Sequence, residues 1–540
     1  MRHNVLTKPH IKKREKIRRL PPFARKLTAV LPVLLTLAGF TVNAEVTLPG
    51  IFGDNMVLQQ SIEVPVWGWA DPGDTVTVAI DTLSVETVAG IDGVWSVRLD
   101  PLNAGGPYDM IVAGKDSVLF TNVMVGEVWV CSGQSNMAMR MSSVQNIEDD
   151  ISSADYPDIR LFTVQRASTV DPQKDFPGER PAWVPCSPDT VRSFSAAAYY
   201  FGRELQRELK VPIGLVHSSW GGSLAEAWTS LETLRSLPQL RPIVDNLDSL
   251  AIYYPQAKEA YDRRLEEWNK ARADSLPLPL MPWPPRGPET HHYPAGLYNA
   301  MIAPMIPYAI AGVIWYQGES NSVRAYQYRT LFPAMIRDWR KAWGQGDFPF
   351  LYIQLANWET DTIPVEGGWG SWAELREAQL MTLSVPNTGM AVTIDIGDSG
   401  NIHPNNKWDV GHRLALNALS IAYGRRVVKS GPIYTAMYRE GRSIRLRFRH
   451  VSQGLVAGSM QPLMGFQIAG ADRVFHDAEA RIDGGEVIVF SENVEHPVAV
   501  RYGWDDDPRC NLYNTDGLPA SPFRTDDWPG ITEDRLKPLR

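Results

Sequence analysis

The chain has 540 residues, 44% hydrophobic and 21% charged, with 42 glycines and 41 prolines. That length exceeds a single hydrophobic core and predicts two to four folded domains, while the lack of a repeat period or single-residue tract argues against collagen-like, disordered and solenoid architectures. The net charge of -8 hides an asymmetry: the first 44 residues hold ten Lys and Arg against one acid, Glu15, leaving 60 acidic and 43 basic residues beyond them, a balance that disfavours nucleic acid and anionic membrane as partners.

The first segment has the order of a secretory signal. A basic run ends at Lys26, Leu27 to Thr41 is apolar, and Val42-Asn43-Ala44 has a small-x-small cleavage pattern. Fifteen apolar residues interrupted by Pro32 are short for a membrane span. The expectation is therefore an exported protein, periplasmic or secreted, with no stable membrane partner; the alternative is an uncleaved anchor. Cys131, Cys186 and Cys510 leave at least one thiol unpaired in any disulfide scheme, and we read all three as buried thiols. Their spacing fits no zinc site.

Residues 45–122 read as short strands at Val64 to Trp69, Thr75 to Ile80, Val94 to Leu99 and Tyr108 to Val112, separated by turn signals such as Asp71-Pro72-Gly73. They predict a small β-sandwich. Residues 123–425 change to alternation. Strands at Glu127 to Cys131, Ile159 to Val164, Ile213 to His217, Ala311 to Tyr316, Phe350 to Leu355 and Met390 to Ile396 are interleaved with helical periodicity. The helical stretches are Val191 to Leu209, Leu224 to Leu234, Tyr326 to Trp343, Trp372 to Leu383 and Asn406 to Tyr423. This predicts an α/β class with a mostly parallel sheet covered on both faces and a ligand site at the carboxyl ends of its strands. An insertion at about 235–295 combines a charged helix, Ala257 to Ala273, with a proline-rich stretch, Leu276 to Pro294, readable as a lid or as a passive excursion. Residues 426–540 return to strands, at Ile444 to Phe448, Phe466 to Ile468, Glu486 to Phe490 and Val498 to Tyr502, as a second β region that can pack against the first.

Three loops follow predicted strands. In Cys131-Ser132-Gly133-Gln134-Ser135-Asn136, a tight turn lifts Ser135 above the sheet edge as a nucleophile, or Ser135 is the N-cap of the next helix. In Trp220-Gly221-Gly222-Ser223, paired glycines allow close backbone approach and amides aimed at an anion, although a plain turn explains them too. In Gln317-Gly318-Glu319-Ser320-Asn321, the amides of Gln317 and Asn321 can stabilise an oxyanion, with an Asx turn as the plainer role of Asn321. Of ten histidines, His403 stands in a polar loop after the last strand and before a helix, where a neutral imidazole can take the serine proton. The tripeptide Gly397-Asp398-Ser399 looks like the GDS of lipase-like esterases, but it follows the last strand instead of the first, so Ser399 reads as a loop residue.

In this order, GEVWVCSGQSNM, WGGSLAEAW, WYQGESN and NIHPNNKWDVGHRLAL resemble the sialate O-acetylesterases of the SGNH-hydrolase superfamily, and the flanking LPGIFGDNMVLQQ and LPASPFRTDDW look similar as well. The resemblance implies a three-layer α/β/α core with β-sandwich accessory regions at both ends. It implies a carboxylic ester hydrolase that removes O-acetyl groups from carbohydrate, sialic acids first, without metal or cofactor. By motif position Ser135 corresponds to the nucleophile, His403 to the general base, and Gly222 with the Gln317 to Asn321 loop to the oxyanion hole. Related esterases often carry an Asp three positions before the histidine, where this chain has Gly400. A Ser-His dyad follows, with Asp398 or Asp395 as the possible orienting acid or a backbone carbonyl in its place. Trp220, Trp315 and the tryptophan of the proline-rich loop are candidate sugar-stacking surfaces, with core packing the favoured role of Trp315. The alternatives are an esterase for acetylated xylan or another glycan, and an inactive secreted carbohydrate-binding protein.

Overall fold

The computed structural model describes residues 45–274, 276–282, 284–359, 371–458 and 462–536; the expected signal segment and Trp283 lie outside them. Seven strands form the central sheet: β1 (Ser117–Gly133), β2 (Tyr156–Thr163), β3 (Trp183–Cys186), β4 (Ile213–Ser219), β5 (Gly312–Tyr316), β6 (Phe350–Gln354) and β7 (Thr388–Val392). Their order is β7-β6-β5-β1-β4-β2-β3. Every pairing is parallel except β2 with β3. β4, β5 and β6 are buried along their whole length, as strands covered on both faces must be.

The two covering layers follow from side-chain alternation. Trp129 on β1 packs against Phe201 and Tyr423 on one face. Trp315 on β5 pairs in register with Ser132, three positions along β1, and so points to the other face, where it meets Phe332 and Trp339. The helices are α1 (Ser135–Ala138), α2 (Ala196–Leu209), α3 (Ala325–Trp343), α4 (Ser371–Met381) and α5 (Lys407–Ile421). α2 and α5 cross closely enough that a Cβ on Gly411 would lie 2.5 Å from that of Tyr200. Among the described residues no helix is long and apolar enough to cross a membrane.

Two helical expectations shorten. The stretch from Val191 becomes a turn of Pro188–Val191 and then α2, because Ser195 caps α2 by accepting from the Ala198 N–H. Leu224 to Leu234 breaks into a 3₁₀ turn, Ala225–Trp228, and a helix, Leu231–Ser236, since Ser230 caps the latter while its N–H and hydroxyl donate to Asp338.

The N-terminal strands Val64–Trp69, Thr75–Ile80 and Val94–Leu99 form as expected, with Leu83–Val88 in addition. β1 runs through the expected boundary near residue 122: its first half pairs antiparallel with Gly105–Ala113 and its second half lies in the central sheet. One contiguous core consequently holds Val76, Val78 and Trp95 together with Trp129 and Trp315. Gln59 and Gln60 secure the junction by donating to the buried Glu127 carboxylate, which also accepts from Tyr423.

The C-terminal strands enclose a core of their own around Ile444, Ile468, Val489 and Tyr502. This region docks on the hydrolase layer. The fully buried Arg376 donates to the carbonyls of Leu355 and Ala356 on one side and of Asp505 and Asp506 on the other, at 2.6–2.9 Å. Glu374 accepts from the N–H of Ile531 and Thr532, and Arg524 pairs with Glu377. All three cysteines are free.

Candidate active site

The three loops meet at the carboxyl end of the sheet because β5, β1 and β4 are adjacent. Gly133 ends β1 with φ of 140° and has its Cα facing the chain of β5: a Cβ there would lie 2.1 Å from the carbonyl oxygen of Tyr316. Only glycine fits. The carbonyl of Gly133 accepts from the Trp220 N–H, and the Gln134 N–H donates to Tyr316, so the turn is pinned to both neighbours before Ser135 begins. Ser135 is half-buried at the start of α1. The cap position belongs to Gln134 and makes no side-chain cap bond, which removes the capping role from Ser135. Gly221 lies beside it, its Cβ position 3.3 Å from the Ser135 Cβ, and Gly222 adopts φ of 76°.

The residues on either side of Ser135 tie the site together. Gln134 accepts from the N–H of Ser320 at 3.2 Å. Asn136 donates to Glu319 Oε1 at 2.7 Å and to the carbonyl of Ile402 at 2.9 Å, and accepts from Lys407 Nζ at 2.6 Å. One amide thus joins the Ser135 turn to the residue before His403. Burial pushes the Glu319 carboxyl up and lowers Lys407 to about 7, against the opposing pull of Glu319's charge. Asn136, Glu319 and Lys407 were absent from the sequence-based site. Their signal was present, however, since each lies inside a quoted motif.

His403 is half-buried, and its N–H donates to Asn401 Oδ1. Burial, then the charge of Lys407, holds its pKa below the ordinary histidine value, so the imidazole stays neutral and basic into mildly acidic solution. The orienting acid needs correction. Asp398 is exposed and its carboxylate accepts from the N–H of Gly400; Asp395 is engaged by Arg413 at 2.6 and 2.8 Å. Neither contacts His403. Ser399 is exposed and donates to Asp507, as a loop residue should.

Gln317 and Asn321 also differ from expectation. Both are buried, with Gln317 Nε2 donating to the carbonyl of Ser223 and to Asn321 Oδ1. Asn321 in turn accepts from the Ala225 N–H and donates to Glu226, the buried partner of Arg324. Both amide hydrogens of Gln317 are taken within the protein, so these side chains brace the second loop against the third.

The proline-rich connection returns at His291, which stacks on Trp220 with ring centroids 5.5 Å apart. Its Nε2 is 3.2 Å from the Cβ position of Gly222. That end of the connection is a wall of the site. Burial and neighbouring cations lower His291 to about 4, and burial lowers His217, bonded to Ser219 Oγ at 2.6 Å, to about 3. Trp315 is fully buried and belongs to the core. Among the described residues no cluster of three metal-ligating side chains occurs.

A parallel sheet between helical layers, with a serine turn and a histidine loop at its carboxyl edge, defines an α/β/α hydrolase of the serine esterase kind. Residues 255–420 match a family profile described as carbohydrate esterase, sialic acid-specific acetylesterase. The chain is 32% identical over 513 residues to the sialate O-acetylesterase of Mus musculus, covering 87% of this chain and 92% of the mouse protein, and 28% identical to that of Homo sapiens, covering 93% and 97%. A crystal structure of a carbohydrate acetylesterase from Xanthomonas citri superposes with a TM-score of 0.77 at 38% identity, covering 90% of this chain and all of that one. The chain belongs to the sialate O-acetylesterase family of carboxylic ester hydrolases.

Proposed function

We propose that this protein is exported and hydrolyses O-acetyl esters of sialic acids, with Ser135 as nucleophile and His403 as general base. The observation that carries the reading is the Asn136 clamp, which holds the serine turn against the histidine loop. His403 takes the Ser135 proton as Oγ attacks the acetyl carbonyl. The N–H groups of Ser135 and Gly222 hold the resulting oxyanion, and the imidazolium returns the proton to the departing sugar oxygen. Water, deprotonated by the same imidazole, then attacks the acetyl-serine and releases acetate. Among the described residues no carboxylate bonds to His403, and the loop that carries the base is held through its backbone, by Asn136 at the Ile402 carbonyl and by Asn401 at the His403 main-chain N–H.

The test is acetate release from 9-O-acetylated sialic acid and from p-nitrophenyl acetate by wild type, Ser135→Ala and His403→Ala. Loss of both activities in both variants supports the assignment. Turnover surviving Ser135→Ala overturns it. A preference for acetylated xylan moves the substrate within the same chemistry, and an inert wild type with intact glycan binding supports the carbohydrate-binding alternative. Sequencing the N-terminus of the exported protein checks cleavage after Ala44.

A further inference from the structure

Two arginines at the mouth of this site have no counter-ion among the described residues. Arg140 lies five residues beyond Ser135, its backbone bridged to Ser195. Arg166 follows β2, next to β4 in the sheet, and its Nε donates to the carbonyl of Ser219 at 3.3 Å, two residues before Gly221. Both are exposed. The charge of Arg140 bears on Arg166, no carboxylate is among the charges acting on Arg166, and neither arginine forms an ion pair among the described residues. Five arginines, Arg203, Arg324, Arg329, Arg413 and Arg524, pair with acids, and the unpaired Arg160, Arg180 and Arg376 spend their donors on backbone carbonyls away from the serine turn. In a chain with so large an acidic excess beyond residue 44, two adjacent uncompensated guanidiniums beside the nucleophile turn are a site kept open for an anion.

The neighbouring surface fits a sugar. Trp220 and His291, stacked at an interplanar angle of 27°, form an aromatic wall next to Gly222. A pyranose ring can lie on that wall. A carboxylate on the ring would then reach the planar forks of the two arginines, which match its geometry better than an ammonium does.

We propose that Arg140 and Arg166 form a carboxylate subsite that makes the enzyme selective for acetylated sugar acids over acetylated neutral sugars. This rests on Ser135 being the nucleophile. The experiment compares kcat/KM for acetate release from 9-O-acetylated sialic acid, from its C1 methyl ester and from acetylated xylose. In wild type the methyl ester should be turned over about 10- to 100-fold less efficiently than the acid. In Arg140→Gln and Arg166→Gln the acid-to-ester ratio should fall towards one, mostly through KM, with Arg166→Lys retaining part of it. Equal turnover of acid and methyl ester by wild type overturns the proposal, as do variants that lower both substrates alike. Because both side chains are exposed, unfolding is not expected, and unchanged melting temperatures check this. If Ser135→Ala still cleaves p-nitrophenyl acetate, the underlying reading fails. If Ser135→Ala is inert and the wild-type ratio is one, only the carboxylate subsite fails.

Discussion

Replacing Asn136 tests the site at its keystone. Asn136→Ala removes three hydrogen bonds: from Lys407 at 2.6 Å, to Glu319 at 2.7 Å and to the Ile402 carbonyl at 2.9 Å. Hydrogen bonds to charged groups are worth about 1.5–3 kcal/mol each, and a buried charge stripped of its partner costs about 3–5 kcal/mol. These do not add here. Lys407 sits near 7 and burial raises Glu319, so the pair can shed its charges by transferring a proton. The expected loss of stability is therefore about 3–5 kcal/mol, not the sum. Catalysis should suffer more, because the only bond from this amide to the histidine loop is gone, and misplacement by about 1 Å costs on the order of 100-fold in kcat. Asn136→Asp separates the effects: it keeps the acceptor for Lys407 but puts a carboxylate against Glu319 and the Ile402 carbonyl. It should fold better than the alanine variant and still lose most of its kcat. The assay is kcat on p-nitrophenyl acetate below the melting temperature, with urea unfolding in parallel. A kcat within threefold of wild type in both variants would refute the argument.

Three further outcomes are expected. Asp398→Ala should retain wild-type activity within about twofold, whereas Asp395→Ala should lose about 3–5 kcal/mol of stability by stranding the buried Arg413; inactivity of the first with an intact fold would restore Asp398 as an orienting acid. The acidic limb of kcat/KM should titrate below 6.5, because the folded protein lowers the pKa of His403 and the active neutral form persists to lower pH. Lys407, near 7, is protonated throughout that window, so Lys407→Met should move the limb upward; a downward shift or none contradicts the electrostatic cause. Arg376→Leu removes four hydrogen bonds between the hydrolase layer and the C-terminal β region, although the Ala356 and Asp506 carbonyls keep donors in Trp372 Nε1 and the Trp358 N–H, and calorimetry should then show that region melting separately instead of in one transition.

Much of this protein was legible locally. A strand buried on both faces is a continuous apolar run, and a half-buried strand alternates, so β4, β5 and the N-terminal strands could be read from hydrophobic pattern alone. Ser135 and His403 could be picked out because a polar turn after a buried strand lies at the ligand edge of a parallel sheet. The tertiary structure decided what pattern cannot express. Sheet order brought three loops to one point, register carried β1 through a boundary that composition drew near residue 122, and packing turned Gln317 and Asn321 from candidate donors into braces. It also placed Asn136, Glu319 and Lys407 in one buried network and left Arg140 and Arg166 without counter-ions among the described residues. Residue type and spacing specify which groups a chain carries, but a hydrogen bond or a charge acts over a few ångströms in space. Only the folded chain determines which of its polar groups are satisfied by one another and which remain free for a substrate.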